Sequence, residues 1–198
     1  MNVVGAMSAV GWAVIVVALG ASAVLSVLAY LRPRPIHLWP AAGALALAIV
    51  AASTVPDDVP MVAAPLVGLL GMVVAVFGGS PAAATALQLA MGSSTPPGAH
   101  GGILVALRSD EPATPGIAPA RHEVLRGGLT IGVLERLASA GTIIAGFPEG
   151  LAIVVAVKGV GRFTELEAPE ARERFIIGTF ASLIWACAAA LAVHLAIR

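Results

Sequence analysis

The hydrophobic residues of this chain form long runs, which short charged or proline-containing segments separate. About 20 consecutive apolar residues are enough to cross the hydrocarbon core of a bilayer as a helix. Runs near that length predict six helices, at residues 8–31, 38–54, 60–77, 126–145, 149–163 and 175–196. The pattern therefore predicts an all-α fold, a polytopic transmembrane helical bundle with six spans.

Prolines and glycines mark the predicted helix ends, because proline lacks an N–H and its ring clashes with the preceding turn. The first helix is expected to stop at the Arg-Pro-Arg-Pro segment 32–35 and the second at the Pro-Asp-Asp segment 56–58. The Gly-Gly-Ser-Pro segment 78–81 is expected to break or kink the third helix, and a short alanine-rich segment follows at 82–91. A second polar loop is expected at 164–174, before the last helix.

One long polar segment, 92–126, divides the chain. It holds five prolines, several glycines and charges of both signs, a composition that lies outside the membrane and lacks stable order unless a partner holds it. Within it, residues 101–107 are apolar enough to form a short strand. The predicted organisation is three N-terminal transmembrane helices (1–91), a cytoplasmic Pro/Gly-rich loop (92–126), and a C-terminal helical hairpin with the last transmembrane helix (127–198).

The Gly-Phe-Pro-Glu-Gly segment 146–150 predicts a tight turn between the fourth and fifth helices. The alternative is one long tilted helix across 127–157, which gives five spans. Basic residues favour six spans, because cytoplasmic connections carry the excess of arginine and lysine. With six spans, one side carries Arg32, Arg34, Arg108, Arg121, Arg126, Arg162, Arg172 and Arg174, and the other carries Asp57, Asp58, Glu149 and Arg198. We therefore expect a multi-pass protein of the cell (plasma) membrane with the long loop in the cytoplasm and both termini outside.

Composition narrows the functional classes. Hydrophobic residues make up 59% of the chain and charged residues 11%, against roughly 25% charged in soluble domains. The formal net charge is zero, so there is no electrostatic basis for nucleic-acid binding. A single cysteine, no paired histidine spacing and no nucleophile or phosphate motif leave no basis for a catalytic residue, a metal or a cofactor. We therefore expect that the chain is not an enzyme and that its surroundings are the lipid bilayer.

Three charges within the apolar runs are the candidate chemistry: Glu135 and Arg136 in the fourth predicted helix and Lys158 in the fifth. A charged group at the centre of a membrane helix costs roughly 2.5–3.5 kcal/mol on insertion scales, so such residues are candidates for function. Counted from the turn at Phe147, Glu135 lies roughly 18 Å deep and Lys158 roughly 15 Å deep at the rise of an α-helix. An antiparallel hairpin should therefore bring Glu135 level with Lys158 and Arg162.

Small residues also recur at helical spacing. On the fourth predicted helix, Glu135 shares a face with Gly128, Gly132, Ser139 and Thr142. On the last helix, Gly178, Ser182 and Ala186 form a second stripe. Small residues let helices approach closely, so we expect helix packing on both faces and, on the last helix, packing or self-association.

Two interpretations of the charged residues remain open. In the first, Glu135 and Lys158 form a structural ion pair in the hairpin, and Arg136 and Arg162 extend to the cytoplasmic interface. In the second, the same residues form a proton or ion relay, or a polar pocket for a lipid headgroup.

Several short motifs carry a resemblance. These are Leu-Arg-Gly-Gly at 125–128, Gly-Val-Leu-Glu-Arg at 132–136, Phe-Pro-Glu-Gly at 147–150, Val-Ala-Val-Lys at 155–158, Gly-Arg-Phe at 161–163 and Phe-Ile-Ile-Gly-Thr at 175–179. Together they resemble the C-terminal helices of a family of bacterial, actinobacterial-type multi-pass membrane proteins of unknown function, although Val157 here stands between the family's alanine and lysine. The resemblance covers roughly the last 75 residues; it implies an architecture and supplies no activity.

Two functional hypotheses follow. The first is a non-enzymatic accessory or scaffold subunit of a membrane complex, whose cytoplasmic loop docks a membrane-protein partner or a second copy of the chain. The second is a small transporter or channel that uses Glu135 and Lys158 to line a polar path.

Overall fold

The computed structural model describes residues 3–32, 34–55, 63–92, 103–106, 121–124, 127–161 and 169–198. These residues form six helices and one pair of short strands. In chain order the elements are α1 (Val3–Leu31), α2 (Pro35–Thr54), α3 (Ala63–Met91), β1 (Ile103–Ala106), β2 (Arg121–Val124), α4 (Gly128–Ile144), α5 (Gly150–Gly161) and α6 (Pro169–Ile197). The fold is therefore a helical bundle, as predicted.

Four of the described helices, α1, α2, α3 and α6, are long and apolar enough to cross a membrane. Helix α4 has 17 residues and α5 has 12. At 1.5 Å per residue, α5 is roughly 18 Å long, well short of a hydrocarbon core of roughly 30 Å. The described part of the chain thus supports a membrane protein with four candidate spans, and the predicted count of six spans is not confirmed.

Helices α3 and α6 form the most extensive contact in the bundle, and α1, α2 and α4 pack around them. Alanine and glycine dominate the buried positions, so the helices approach closely. Two hydrogen bonds from buried side chains to backbone carbonyl groups join neighbouring helices in the described part of the chain. Ser22 Oγ donates to the Ala41 carbonyl at 3.0 Å, and Trp185 Nε1 donates to the Val74 carbonyl at 3.0 Å.

Helix α3 does not break at residues 78–81, so of the two predicted alternatives the break was wrong. The helix continues from Ala63 to Met91 with Pro81 inside it. Membrane helices tolerate proline where neighbouring groups compensate for the lost hydrogen bond. The two glycines have a packing role instead, because a Cβ at Gly78 would overlap the Trp185 ring and a Cβ at Gly79 would overlap the Arg136 side chain.

Helix α6 begins at Pro169, earlier than expected. Its first residues belong to the segment 164–174, so the prediction of a loop through Arg174 was wrong. Helix α2 likewise has Pro35 in its first turn. Proline suits that position, because the N–H it lacks would have no partner inside the helix. Pro35 and Pro169 therefore lie at the starts of helices.

A glycine turn separates α4 from α5 and excludes one continuous helix across 127–157. Gly146 has φ 76°, a conformation that glycine adopts without strain. The Phe147 N–H donates to the Thr142 carbonyl at 2.8 Å, and the Gly146 N–H donates to the Ile143 carbonyl at 3.0 Å. This pair of bonds is the Schellman motif, which ends a helix. The predicted break between the two helices is therefore confirmed.

The described part of the segment 92–126 contains a strand pair. Strand β1 lies within the apolar stretch 101–107, where a short strand was expected, and it pairs antiparallel with β2 in the register Ile103↔Val124 to Ala106↔Arg121. Strand β2 was not expected from the sequence. The predicted loop otherwise lies mainly outside the described residues.

Replacing Gly78 with alanine should destabilise the bundle by about 1–3 kcal/mol, the typical effect of overpacking. The added methyl group would displace the Trp185 ring and disturb its bond to Val74. The measurement is thermal unfolding of the purified protein in detergent. Gly68→Ala is the matched control on the same helix, because no atom lies within 4 Å of the position that its Cβ would take. Equal midpoints for the two variants would contradict the predicted contact.

Candidate functional site

Glu135 and Lys158 form an ion pair between α4 and α5, in which Lys158 Nζ donates to Glu135 Oε2. The exposed fractions of the two side chains are only 12% and 16%. Lys158 Nζ also lies 5.5 Å from the ring centre of Phe175 on α6, within the range of a cation–π interaction. Lys158 therefore links the short helix α5 to both α4 and α6.

The position of the turn explains why these two residues meet. Glu135 lies 11 residues before Gly146, and Lys158 lies 11 residues after Phe147. Because both arms are α-helices with the same rise per residue, equal separations from the turn give equal depths. The structure thus brings together the two residues that were expected to lie level.

Arg136 is buried inside the bundle and does not extend to the surface. Its side chain is 3% exposed, and its Nη1 donates to Ser182 Oγ on α6 at 3.1 Å. Gly79 of α3 and Gly132 of its own helix lie against it, so a Cβ at Gly132 would be 3.0 Å from Nη1. Its Nε and Nη2 have no hydrogen-bond acceptor among the described residues. The expectation that Arg136 extends to the interface was therefore wrong, because both glycines leave space for it in the interior.

A cavity of about 550 Å³ adjoins these charges. It lies at one end of the bundle, between the C-terminal ends of α1 and α3, the N-terminal halves of α4 and α6, and the end of α5. Its charged and hydroxyl-bearing lining residues are Tyr30, Ser80, Glu135, Arg136, Lys158, Arg174, Thr179 and Ser182. Three cationic side chains and one carboxylate therefore line the same space.

A second cavity, of about 420 Å³, lies between α4 and α5. Its lining is mainly apolar, with Leu134, Ile153 and Val157 among its residues. Glu135 and Lys158 line both cavities. We call the first cavity, which the charged side chains line, the polar cavity, and the second the apolar groove. The ion pair lies between the two.

The structure places the predicted packing residues of α4 in three environments. Gly128 and Gly132 line the polar cavity. Ser139 is fully buried, and its hydroxyl has no partner in the described part of the chain. Thr142 Oγ1 donates to the Ser139 carbonyl at 2.9 Å, and the Thr142 methyl group lies against Gly150, the first residue of α5. The face predicted to meet α5 is therefore shared between α5, the cavity and the bundle interior.

The stripe on α6 packs within the chain. Leu87 of α3 lies 3.6 Å from the Cβ position of Gly178, Ser182 binds Arg136, and Ala186 is fully buried. Arg162, the fourth residue of the predicted charged group, lies outside the described residues.

Several residues of this site were not predicted from the sequence. Tyr30 lines the cavity and packs edge-on against Phe77, with ring centres 5.4 Å apart. Gly79 lies against Arg136, although it was interpreted as part of a helix break. Arg174 lines the cavity from α6, although it was assigned to a loop. The sequence alone does not show which residue of another helix will contact an aromatic at a helix end or a glycine pair inside an apolar run.

Beyond the charged residues, the helices close on a tight core. Val74, Ala140, Ala186 and Val193 have no exposed surface, and Val193 fills the space beside Gly71. The polar cavity therefore meets packed side chains towards the other end of the bundle.

No family model, no curated protein and no solved structure matches the chain. Among the described residues, no group of three or more His, Cys, Asp or Glu side chains could hold a metal ion. The likeness of the C-terminal motifs to a bacterial membrane family stays a prediction. The geometry of the site is thus the basis for any functional proposal.

Removing one partner of the ion pair should destabilise the protein more than removing both. Glu135→Leu leaves the Lys158 ammonium without its partner, and Lys158→Met leaves the Glu135 carboxylate without its partner. A double-mutant cycle, measured by thermal unfolding in detergent, should give a coupling energy of about 0.5–3 kcal/mol, as residues in contact do. The matched control pairs Glu135→Leu with Arg32→Gln, because Arg32 is exposed and lies on another helix end. Additive effects in the Glu135–Lys158 cycle would show that the two side chains do not interact.

Proposed function

We propose that this chain is a multi-pass protein of the cell membrane that acts as a non-enzymatic accessory or scaffold subunit of a membrane complex. The observation that supports this proposal is that the interior charges bind other residues of the same chain. Lys158 binds Glu135 and contacts Phe175, and Arg136 binds Ser182. These contacts attach the short hairpin α4–α5 to α6, and the core closes the bundle beyond them.

The proposed arrangement has α1, α2, α3 and α6 crossing the membrane and the α4–α5 hairpin entering and leaving from one side. A length of roughly 18 Å for α5 is the reason to place the turn inside the membrane. A hairpin that returns to its starting side leaves the sidedness of all other segments unchanged. The arginine-bearing connections and the segment 92–126 are then cytoplasmic, and both termini are outside.

The segment 92–126 is the proposed docking element for a membrane-protein partner or a second copy of the chain. It is the longest polar segment of the sequence, and its described strand β1 contacts α6. A partner bound there would meet the same end of the bundle that carries the polar cavity.

A transporter or channel is the second candidate, and the cavity beside Glu135 and Lys158 is the observation that favours it. Transport would need a further state that opens the packed core towards the other side. Transport would also require a measurable flux in reconstituted vesicles, and a correctly folded Glu135→Gln variant should change that flux. The closed core is why the subunit role is preferred.

Cysteine labelling in intact cells should establish the arrangement. In a Cys187→Ala background, Asp57→Cys should react with a membrane-impermeant maleimide, and Ala118→Cys should react only after permeabilisation. Phe147→Cys, in the α4–α5 turn, should react weakly in both conditions, because the bilayer surrounds it. Labelling of Phe147→Cys from outside at the rate of Asp57→Cys would establish a complete crossing and six spans. Labelling of the other two positions from the same side would exclude the arrangement.

Deleting residues 95–119 should leave membrane insertion intact and abolish co-purification of the partner from native membranes. The control replaces the same residues with a Gly/Ser linker of equal length, which keeps the connection but not the side chains. Both variants should lose the partner in quantitative mass spectrometry of the purified complex. Unchanged co-purification from either variant would argue against a docking role for this segment.

A further inference from the structure

We propose that the polar cavity binds the phosphate of an anionic headgroup and that Arg136 is the residue that binds it. This inference goes beyond the subunit role, because it assigns a ligand class to a site that a docking partner does not require. It depends on three separate features: the state of Arg136, the chemistry of the cavity wall, and the apolar groove beside it.

Arg136 carries a buried charge without a carboxylate partner among the described residues. Its nearest acidic neighbour in sequence, Glu135, gives Oε2 to Lys158, and Arg136 itself bonds only to the neutral Ser182 hydroxyl. The charge of Glu135 is thus shared between Lys158 and Arg136, and a buried cation with only a shared counter-charge is unfavourable. A bound anion would add negative charge beside Arg136.

The unpartnered atoms of Arg136 are those that bind phosphate best. Nε and Nη2 form one edge of the planar guanidinium, and both lack an acceptor in the described part of the chain. Two parallel N–H donors on one edge match two oxygens of a phosphate. Nη1, on the other side of the group, is held by Ser182. The Nε–Nη2 edge is buried, so the proposed ligand reaches it when the side chains packed over it shift.

The cavity wall suits an anion of this size. A volume of about 550 Å³ falls within the usual range of ligand pockets, about 300–1,000 Å³. Lys158 and Glu135 offset each other's charge, Arg174 adds a further basic side chain, and Tyr30 and Thr179 add hydroxyl groups. The first turn of α4 also lines the cavity, and its N-cap Gly127 provides no side-chain cap. Its backbone N–H groups and helix dipole favour a negative group there.

A lipid is the favoured source of that phosphate. The cavity lies where α1 and α3 end, and the exposed Arg32 and Arg34 follow the end of α1 in sequence. Anionic headgroups collect at such basic membrane edges. The apolar groove of about 420 Å³ shares Ile131, Glu135 and Lys158 with the cavity. An amphiphile could therefore place its headgroup beside Arg136 and an acyl chain between α4 and α5.

Ligand-dependent thermal unfolding of the full chain in detergent tests the proposal, because a ligand of the folded state raises the midpoint with its concentration. The probes are dioctanoyl phosphatidylglycerol, dioctanoyl phosphatidylcholine and inorganic phosphate. Phosphatidylglycerol should raise the midpoint of the wild type and phosphatidylcholine should not. Arg136→Gln should weaken the phosphatidylglycerol effect about tenfold or more, as expected for hydrogen bonds to a charged group. Arg198→Gln, which removes an exposed charge after the C-terminal end of α6, should leave it unchanged.

Arg136→Lys serves as the second variant, because it keeps the charge but lacks the two-donor edge, and its phosphatidylglycerol affinity should also fall. Without ligand, Arg136→Gln should be at least as stable as the wild type, because the substitution removes a buried charge. If the arginine had a purely structural role, the variant would be less stable and its affinity for phosphatidylglycerol would be unchanged. An equal effect of inorganic phosphate that requires Arg136 would support the site and assign it to a soluble phosphate. Equal effects of both lipids, no effect of any probe, or a full response in both Arg136 variants would refute the proposal.

Discussion

The ion pair between Glu135 and Lys158 determines how the C-terminal half of this bundle is arranged. Two charges inside an apolar run are unfavourable separately, and their pairing removes most of that penalty. Lys158 can reach Glu135 only if the chain reverses at Gly146, where a positive φ and two turn bonds end α4. The same ammonium group contacts Phe175, so a helix of 12 residues is attached to the bundle by one side chain with two partners. The hairpin, the cavity and the groove all depend on this contact.

Arg136, unlike Lys158, forms no salt bridge with a carboxylate among the described residues. Consecutive helix positions point about 100° apart, so Arg136 faces α3 and α6 while Glu135 faces α5. The space for it exists because Gly79 and Gly132 have no side chains. Only one of its terminal nitrogens is bound by the described residues. A structural role explains the bond to Ser182, but it does not explain why Nε and Nη2 are buried without an acceptor among the described residues.

The two functional ideas for this chain concern the same end of the bundle. The cavity lies between the helix ends that lead into the arginine-bearing connections and the long polar segment. The opposite end is closed by fully buried alanine and valine side chains. A subunit that holds an anionic lipid at this end would present the bound headgroup close to the segment proposed to dock a partner.

The sequence alone determined the features that depend on one helix or on one turn. Long apolar runs specify helices suited to a bilayer, and a fixed rise per residue makes Glu135 and Lys158 level across a glycine turn. Tertiary structure decided which helices are neighbours. The bond from Arg136 to Ser182 joins residues 46 positions apart, and the bond from Trp185 to Val74 joins residues 111 apart. The same contacts explain why Gly78 and Gly79 are packing sites in a continuous α3. Periodicity defines the faces of a single helix, but apolar faces of similar composition do not specify which partner each one meets, so the cavity and its buried arginine were decided by packing.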